Sequence, residues 1–81
     1  MDRIDRAILQ QALHEAERQI DEYESIIAQC SERVANLERD GHETFEETAR
    51  LENYEQMRAV SVRDRDRLRR TLEEIDRGSA L

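Results

Sequence analysis

The side chains that most often carry out chemistry are sparse in this 81-residue chain. It contains one cysteine, Cys30, and two histidines, His14 and His42. A nucleophilic cysteine needs a histidine base and some exposure, whereas Cys30 has the spacing of a core residue. His14 belongs to no Glu-x-x-His or His-x-x-x-His pair on one helical face, and His42 lies in a predicted turn. We therefore expect no catalytic residue, no metal site and no cofactor, and a protein that is not an enzyme.

Charged side chains are abundant, with 20 acidic and 13 basic residues and a net charge of −7. Such a chain repels nucleic acids and anionic membranes unless its charge is very unevenly placed. The run from Arg63 to Arg70 is locally basic, and internal pairing with the acidic segment around Glu15 and Glu17 is its simplest use. The chain has only one cysteine and no long apolar run, so we expect a cytoplasmic protein without a membrane partner.

The element that must position these residues is a seam of apolar side chains at alternating spacings of four and three. Its members are Leu9, Leu13, Ala16, Ile20, Tyr23, Ile27, Cys30, Val34 and Leu37. This spacing is typical of a helix that lies along another helix. Since residues 1–39 contain no glycine or proline, we predict one helix over residues 2–39.

A turn over residues 40–43 follows, in which Gly41 can take the left-handed conformation that ends a helix. Thr44 and Glu47 have the spacing of a capping box, which predicts a second helix over residues 44–77 and a short tail at 78–81. This helix repeats the seam. Its apolar members are Leu51, Tyr54, Leu68, Leu72 and Ile75.

The two seams match when facing residues have numbers that sum to about 81. The facing pairs are Cys30 with Leu51, Ile27 with Tyr54, Leu13 with Leu68, and Leu9 with Leu72. Near the turn, Phe45 would face Leu37. The sequence therefore predicts an all-α fold: a two-helix antiparallel coiled-coil hairpin that forms one domain over residues 1–81.

The middle of this hairpin is polar on the second helix, where Arg58, Ser61 and Arg65 face the first seam. In a structural interpretation, Arg58 lies over the ring of Tyr23, and both arginines run their stems across the seam. In a functional interpretation, a partner protein or a second hairpin completes the core there. Both alternatives remain open.

Further apolar residues lie beside the seams and define the candidate interface. Ile8, Ile26, Met57 and Val60 are its expected anchors, with Arg58 and Arg65 giving polar specificity. An apolar face on each helix favours a homodimer in which two hairpins form a four-helix bundle. The alternative is a monomeric hairpin that presents this face to a different protein.

The expected architecture is similar to that of Rop-type dimers and of small helical-hairpin chaperones and antiactivators of bacteria and phages. The leading hypothesis is a protein-interaction module of this kind, a small regulator, inhibitor or chaperone that docks a helix face on a protein partner. One alternative is a Rop-like dimer that binds nucleic acid through Arg63 to Arg70. Another is an acidic mimic of nucleic acid that blocks a basic site on a target protein.

Overall fold

Two long helices form the computed structural model, which describes the backbone of residues 3–79 and the side chains of residues 5–78. Helix α1 spans Arg3–Arg39 and helix α2 spans Phe45–Ser79. They pack along each other in a rod of 63 × 14 × 14 Å. The prediction of a helical hairpin is therefore confirmed. Within residues 3–79, neither helix has a stretch apolar enough, over a sufficient length, to cross a bilayer.

Gly41 ends the first helix in the way that its position predicts. Its φ angle is +79°, in the left-handed region that residues with a Cβ atom rarely adopt. The amide of Gly41 donates to the carbonyl of Glu38 at 3.1 Å, and the amide of His42 donates to that of Leu37 at 2.9 Å. These two bonds are those of a Schellman motif, so the last carbonyls of α1 are satisfied inside the turn.

The second helix begins one residue later than expected. Thr44 lies outside it as the N-cap residue, and its carbonyl accepts the first intrahelical bond from the amide of Thr48 at 2.8 Å. The reciprocal side-chain bonds of a capping box between Thr44 and Glu47 are absent among the described residues. Glu46 and Glu47 nevertheless place negative charge in the first turn, where the helix dipole favours it.

The expected end of α2 at Arg77 is wrong, because the helix continues through Gly78 to Ser79. Glycine weakens a helix but does not terminate one unless it takes a left-handed conformation, and Gly41 is the one described glycine with a positive φ. The start expected at residue 2 and the last part of the tail, at 80–81, lie outside the described residues.

The register of the hairpin agrees with the expected one. Gln19 bonds to Ser61, and Arg6 bonds to Asp76, so the numbers of these contacting residues sum to 80 and 82. The core follows the seams, and its most buried members lie in the middle and at the open end of the hairpin. These buried residues are Ala16, Ile20, Ser61 and Leu72.

Phe45 departs from the prediction that it packs against Leu37. Its side chain is 75% exposed, the highest value among the large apolar residues that the structure describes as exposed. Thr44, Glu47 and Thr48 are half-buried there instead. With Thr44 as the N-cap, Glu47 takes the next seam position in α2. Phe45 lies two residues earlier, so its side chain points away from α1.

Candidate protein-interaction site

The apolar residues beside the seams lie on one side of the folded hairpin. We call this surface the Met57 face; it consists of Ile8, Ala12, Ile26, Met57 and Val60. The side chains of Ile8, Met57 and Val60 are 59%, 37% and 50% exposed. Ile26 is half-buried. Packing of α1 on α2 therefore leaves apolar surface on this side in water.

Contacts between the helices distinguish the two sides of the rod. On the Met57 side, an open pocket of about 340 Å³ is lined by residues of both helices, among them Ala12, Ala16 and Asp64. On the opposite side, Arg69 forms an ion pair with Glu17 at 3.6 Å. In an antiparallel pair of helices, the heptad positions on one flank of the seam face the same positions of the other helix. Each side of the rod therefore combines one flank of α1 with the same flank of α2.

A second, smaller pocket of about 130 Å³ lies on the Met57 side nearer to the turn. It is lined by Gln29, Cys30, Arg33, Glu47 and Arg50. Cys30 is half-buried at its seam position and is reached from this pocket. The Met57 face thus has exposed apolar side chains and two concave sites along the same side of one rod.

The structure brings some of the expected anchors together and separates one of them. Ile26, Met57 and Val60 lie near the middle of the rod, within a few turns of one another in the observed register. Ile8 lies eighteen residues before Ile26 on the same helix, which corresponds to about 27 Å along its axis. The expected interface is therefore a stripe along the rod rather than one compact patch.

Arg58 and Arg65 share a seam frame but have different surroundings. Arg58 is exposed. Arg65 is half-buried, and its Nε donates to the carboxylate of Asp66 at 3.1 Å. The expected cation–π contact of Arg58 with Tyr23 is not formed: the ring of Tyr23 lies 6.3 Å from that of Tyr54, tilted by 44°.

The polar middle of the hairpin is closely packed. Ile20 is 4% exposed and Ser61 is 6% exposed. The Ser61 hydroxyl donates to Oε1 of Gln19 at 3.4 Å, so the buried polar atom has a partner. Ala16, on the same seam, is 6% exposed, so these three positions are buried within one hairpin.

Charge is distributed unequally between the two sides. Near the Met57 face, Arg18 bonds to both Glu15 and Glu22, and Arg67 bonds to Asp64 at 2.9 Å. Hydrogen bonding from Arg18 holds the pKa of Glu15 below its usual value. These charges are thus partly neutralised by neighbours.

The opposite side holds what we call the acidic face, which consists of Asp21, Glu24, Glu52 and Glu55. All four carboxylates are exposed. Among the described residues, none of them takes part in an ion pair, whereas Glu15, Glu22 and Asp64 beside the Met57 face do. The acidic face is therefore a surface of uncompensated negative charge near the middle of the rod.

The basic run from Arg63 to Arg70 is largely used within the chain. Arg69 reaches Glu17 of α1, as the predicted pairing with the acidic segment requires. Arg65 and Arg67 bind the intervening aspartates at 3.1 and 2.9 Å. Among the described residues, Arg63 and Arg70 have no ion-pair partner. Two unpaired arginines make a weak phosphate-binding surface.

The side chains considered for chemistry remain apart. His14 and His42 are exposed on different elements, α1 and the turn, and Cys30 lies in the seam. Within residues 5–78, no three histidine, cysteine, aspartate or glutamate side chains converge in a way that could hold a metal ion. Phe45 is an exposed aromatic that the sequence did not mark as a surface residue; its place directly after the N-cap was the available signal.

No known protein family, curated protein or solved structure matches this chain significantly.

Proposed function

We propose that the protein is a non-enzymatic interaction module that acts by placing the Met57 face against another helical surface. The observation that carries this proposal is the exposure of Met57 and Val60 beside a seam that is otherwise covered. Apolar side chains at helical spacing, flanked by neutralised charges, suit a helix-on-helix contact in which few ions lose their hydration.

In this proposal the face supports pairing into a dimeric four-helix bundle, and the module serves as a small regulator, inhibitor or chaperone for a protein partner. A rod of two helices has few fully buried residues, so added helices supply the burial that one hairpin lacks. The lone thiol of Cys30 fits a reducing, cytoplasmic setting.

The proposal is tested by charging the face without disturbing the seam. In the double variant Met57→Glu with Val60→Glu, both changes fall on exposed positions, so helicity by circular dichroism should remain near that of the wild type. We expect the molar mass from light scattering and the set of proteins captured from the native host to change. Desolvating two carboxylates in a helix contact costs several kcal/mol, on the order of the binding energy of a weak complex.

The control is Ala59→Glu, which adds one carboxylate between these two positions but toward the other side of α2. It should keep both the mass and the captured proteins. If the double variant behaves like this control in both measurements, the Met57 face is not an interface and the proposal fails.

A second candidate function is favoured by the acidic face, whose four exposed carboxylates have no ion-pair partner among the described residues. Such a surface could occupy a basic nucleic-acid site on a target protein. Competition by DNA for a captured target would distinguish this mimicry from docking through the Met57 face. Direct nucleic-acid binding through Arg63 and Arg70 would instead appear as a salt-sensitive gel shift.

A further inference from the structure

We infer that the Met57 face is covered by a second copy of this chain. The two copies are related by a two-fold axis that is perpendicular to the rods at the level of Ile20 and Ser61, so the two rods are antiparallel. The inference rests on the proposed function and adds to its dimer the position of the symmetry axis and the antiparallel direction of the two rods. Three features of the structure carry it: the exposed area, the spacing of side chains and pockets, and the charges at the two ends of the face.

The elongated chain exposes more surface than one dimer interface removes from it. The chain exposes 6380 Å² of surface, about 1,300 Å² more than the roughly 5,100 Å² of a compact monomer of its 9.6 kDa mass. A standard protein interface removes about 800 Å² from each partner. The side-by-side association of two rods can supply this area, because the Met57 face extends for about 27 Å along the rod, from Ile8 to Ile26.

Far from the axis, this arrangement places Ile8 of one copy at the smaller pocket, near the turn, of the other copy. Ile8 lies about 18 Å from Ile20 along α1, toward the open end of the hairpin. Cys30 and Arg33, which line the smaller pocket, lie about 15 to 20 Å from Ile20 in the other direction. A two-fold rotation about Ile20 therefore brings the exposed Ile8 of each copy to the smaller pocket of the other.

Close to the axis, the arrangement places Met57 of one copy at the larger of the two pockets of the other copy. Met57 lies about 6 Å from Ser61 along α2, toward the turn. Ala16, in the larger pocket, lies about 6 Å from the level of Ile20 in the opposite direction, toward the open end. The same rotation places each Met57 at the partner's larger pocket. One axis thus satisfies two independent spacings, as an isologous interface requires.

Charge favours the antiparallel orientation over the parallel one. Near the turn, the pocket lining holds two arginines, Arg33 and Arg50, against one carboxylate, Glu47, so its net charge is positive; neither arginine has an ion-pair partner among the described residues. At the open end, Glu74 is exposed on the same side of the rod. Antiparallel association brings Glu74 of one copy toward these arginines of the other, whereas parallel association brings like charges together.

The acidic face supports the choice of the Met57 side as well. Two copies meeting through Asp21, Glu24, Glu52 and Glu55 would place uncompensated carboxylates against each other. Association through the Met57 face instead leaves both acidic faces outward, on opposite sides of the bundle. The dimer then presents its negative charge to solvent or to a basic partner.

The test uses the native cysteine. With Ile8→Cys, mild oxidation should join the introduced thiol of one copy to Cys30 of the other and give a covalent species of twice the 9.6 kDa chain mass. A disulfide needs Cα atoms within about 7 Å, so this link reports the register directly. The exposed position of Ile8 makes the substitution compatible with folding.

Two controls define the outcome. The variant Ala7→Cys moves the thiol by one residue to another face of α1 and should not form the link. Adding Cys30→Ser to Ile8→Cys should abolish it. A wild-type dimer linked through Cys30 of both copies, or a link that survives Cys30→Ser, would show a parallel arrangement and overturn the inference.

Light scattering separates this inference from the proposed function. The wild-type mass should be twice that of the chain over the concentrations at which the disulfide forms. A mass of one chain, or a dimer in which Ile8→Cys links no faster than Ala7→Cys, overturns the inference. The function would fail separately, if Met57→Glu with Val60→Glu also leaves every captured protein unchanged.

Discussion

The Ser61 hydroxyl donates a hydrogen bond across the helix pair to Oε1 of Gln19, and Ser61 is the one polar residue in the buried set of the described chain. This contact lies where the second seam lacks apolar side chains. The hydroxyl there has a hydrogen-bond partner, and the small side chain of Ser61 is buried at 6% exposure where a larger one would need more room.

Substitutions at Ser61 should therefore depend on size more than on polarity. Ser61→Ala removes one long hydrogen bond while Gln19 keeps access to water, so we expect a loss of stability below about 1 kcal/mol. Ser61→Leu overfills the contact and should cost about 1–3 kcal/mol. Urea denaturation at one fixed protein concentration measures both, since association changes the apparent stability.

The control for Ser61→Leu is Arg58→Leu, which adds leucine on the same seam frame but at an exposed position. We expect no loss of stability there, because the new side chain has room to cover the seam. Equal destabilisation by the two leucine variants would contradict a tight contact at Ser61.

Replacement of the two glycines by alanine should change the stability of the hairpin in opposite directions. At Gly41 the φ angle of +79° makes any Cβ unfavourable, so Gly41→Ala should destabilise the hairpin by about 1–2 kcal/mol. At Gly78, which is helical and has open space around a Cβ, Gly78→Ala should stabilise by about 0.4–1 kcal/mol. Denaturation midpoints measured side by side give the signs; a stabilising Gly41→Ala would refute the left-handed turn, and a destabilising Gly78→Ala would contradict a helical Gly78.

Acid should weaken the tie between the open ends of the helices. Arg6 Nε donates to Asp76 at 2.8 Å, and this hydrogen bond lowers the pKa of Asp76. An aspartate in the unfolded chain has a pKa of about 3.9. The contribution of the Arg6–Asp76 contact to stability is therefore fully present above that pH and is lost as the pH falls through the lower pKa of the folded state. Carboxyl NMR titration should show Asp76 titrating below its usual range.

The variant Asp76→Asn tests the same contact through stability. Its small deficit relative to the wild type should be constant near neutral pH and disappear at acid pH, because the wild type loses the ion pair there too. Glu73→Gln removes an exposed carboxylate that has no ion pair among the described residues and serves as the control. A deficit of Asp76→Asn that grows on acidification would have the wrong sign.

Much of the fold could be predicted because its signals are local or periodic. The seam from Leu9 to Leu37 is covered throughout, and Gly41 ends α1 as expected. Predictions failed where neighbouring positions compete. Phe45 was assigned to the seam by its apolar character, but the N-cap at Thr44 sets the helical phase and leaves it exposed. Gly78 looked like a stop, yet glycine ends a helix only through its backbone conformation.

The candidate interface was predictable in kind but not in arrangement. Ile8, Ile26, Met57 and Val60 were identifiable because they break the seam spacing. Whether they share a side depends on which flank of α1 meets which flank of α2, which is a property of the pair. The same is true of Arg58 and Arg65, which share a frame in sequence but differ in burial.

By itself the sequence determined two helices, the turn between them and their register, because heptad spacing and a left-handed glycine act through the local chain. Tertiary structure decided that Ser61 is buried and Arg58 exposed, and it separated the Met57 face from the acidic face. The physical reason is that burial and charge clustering depend on surfaces contributed by both helices, and these surfaces exist only once the helices are packed together.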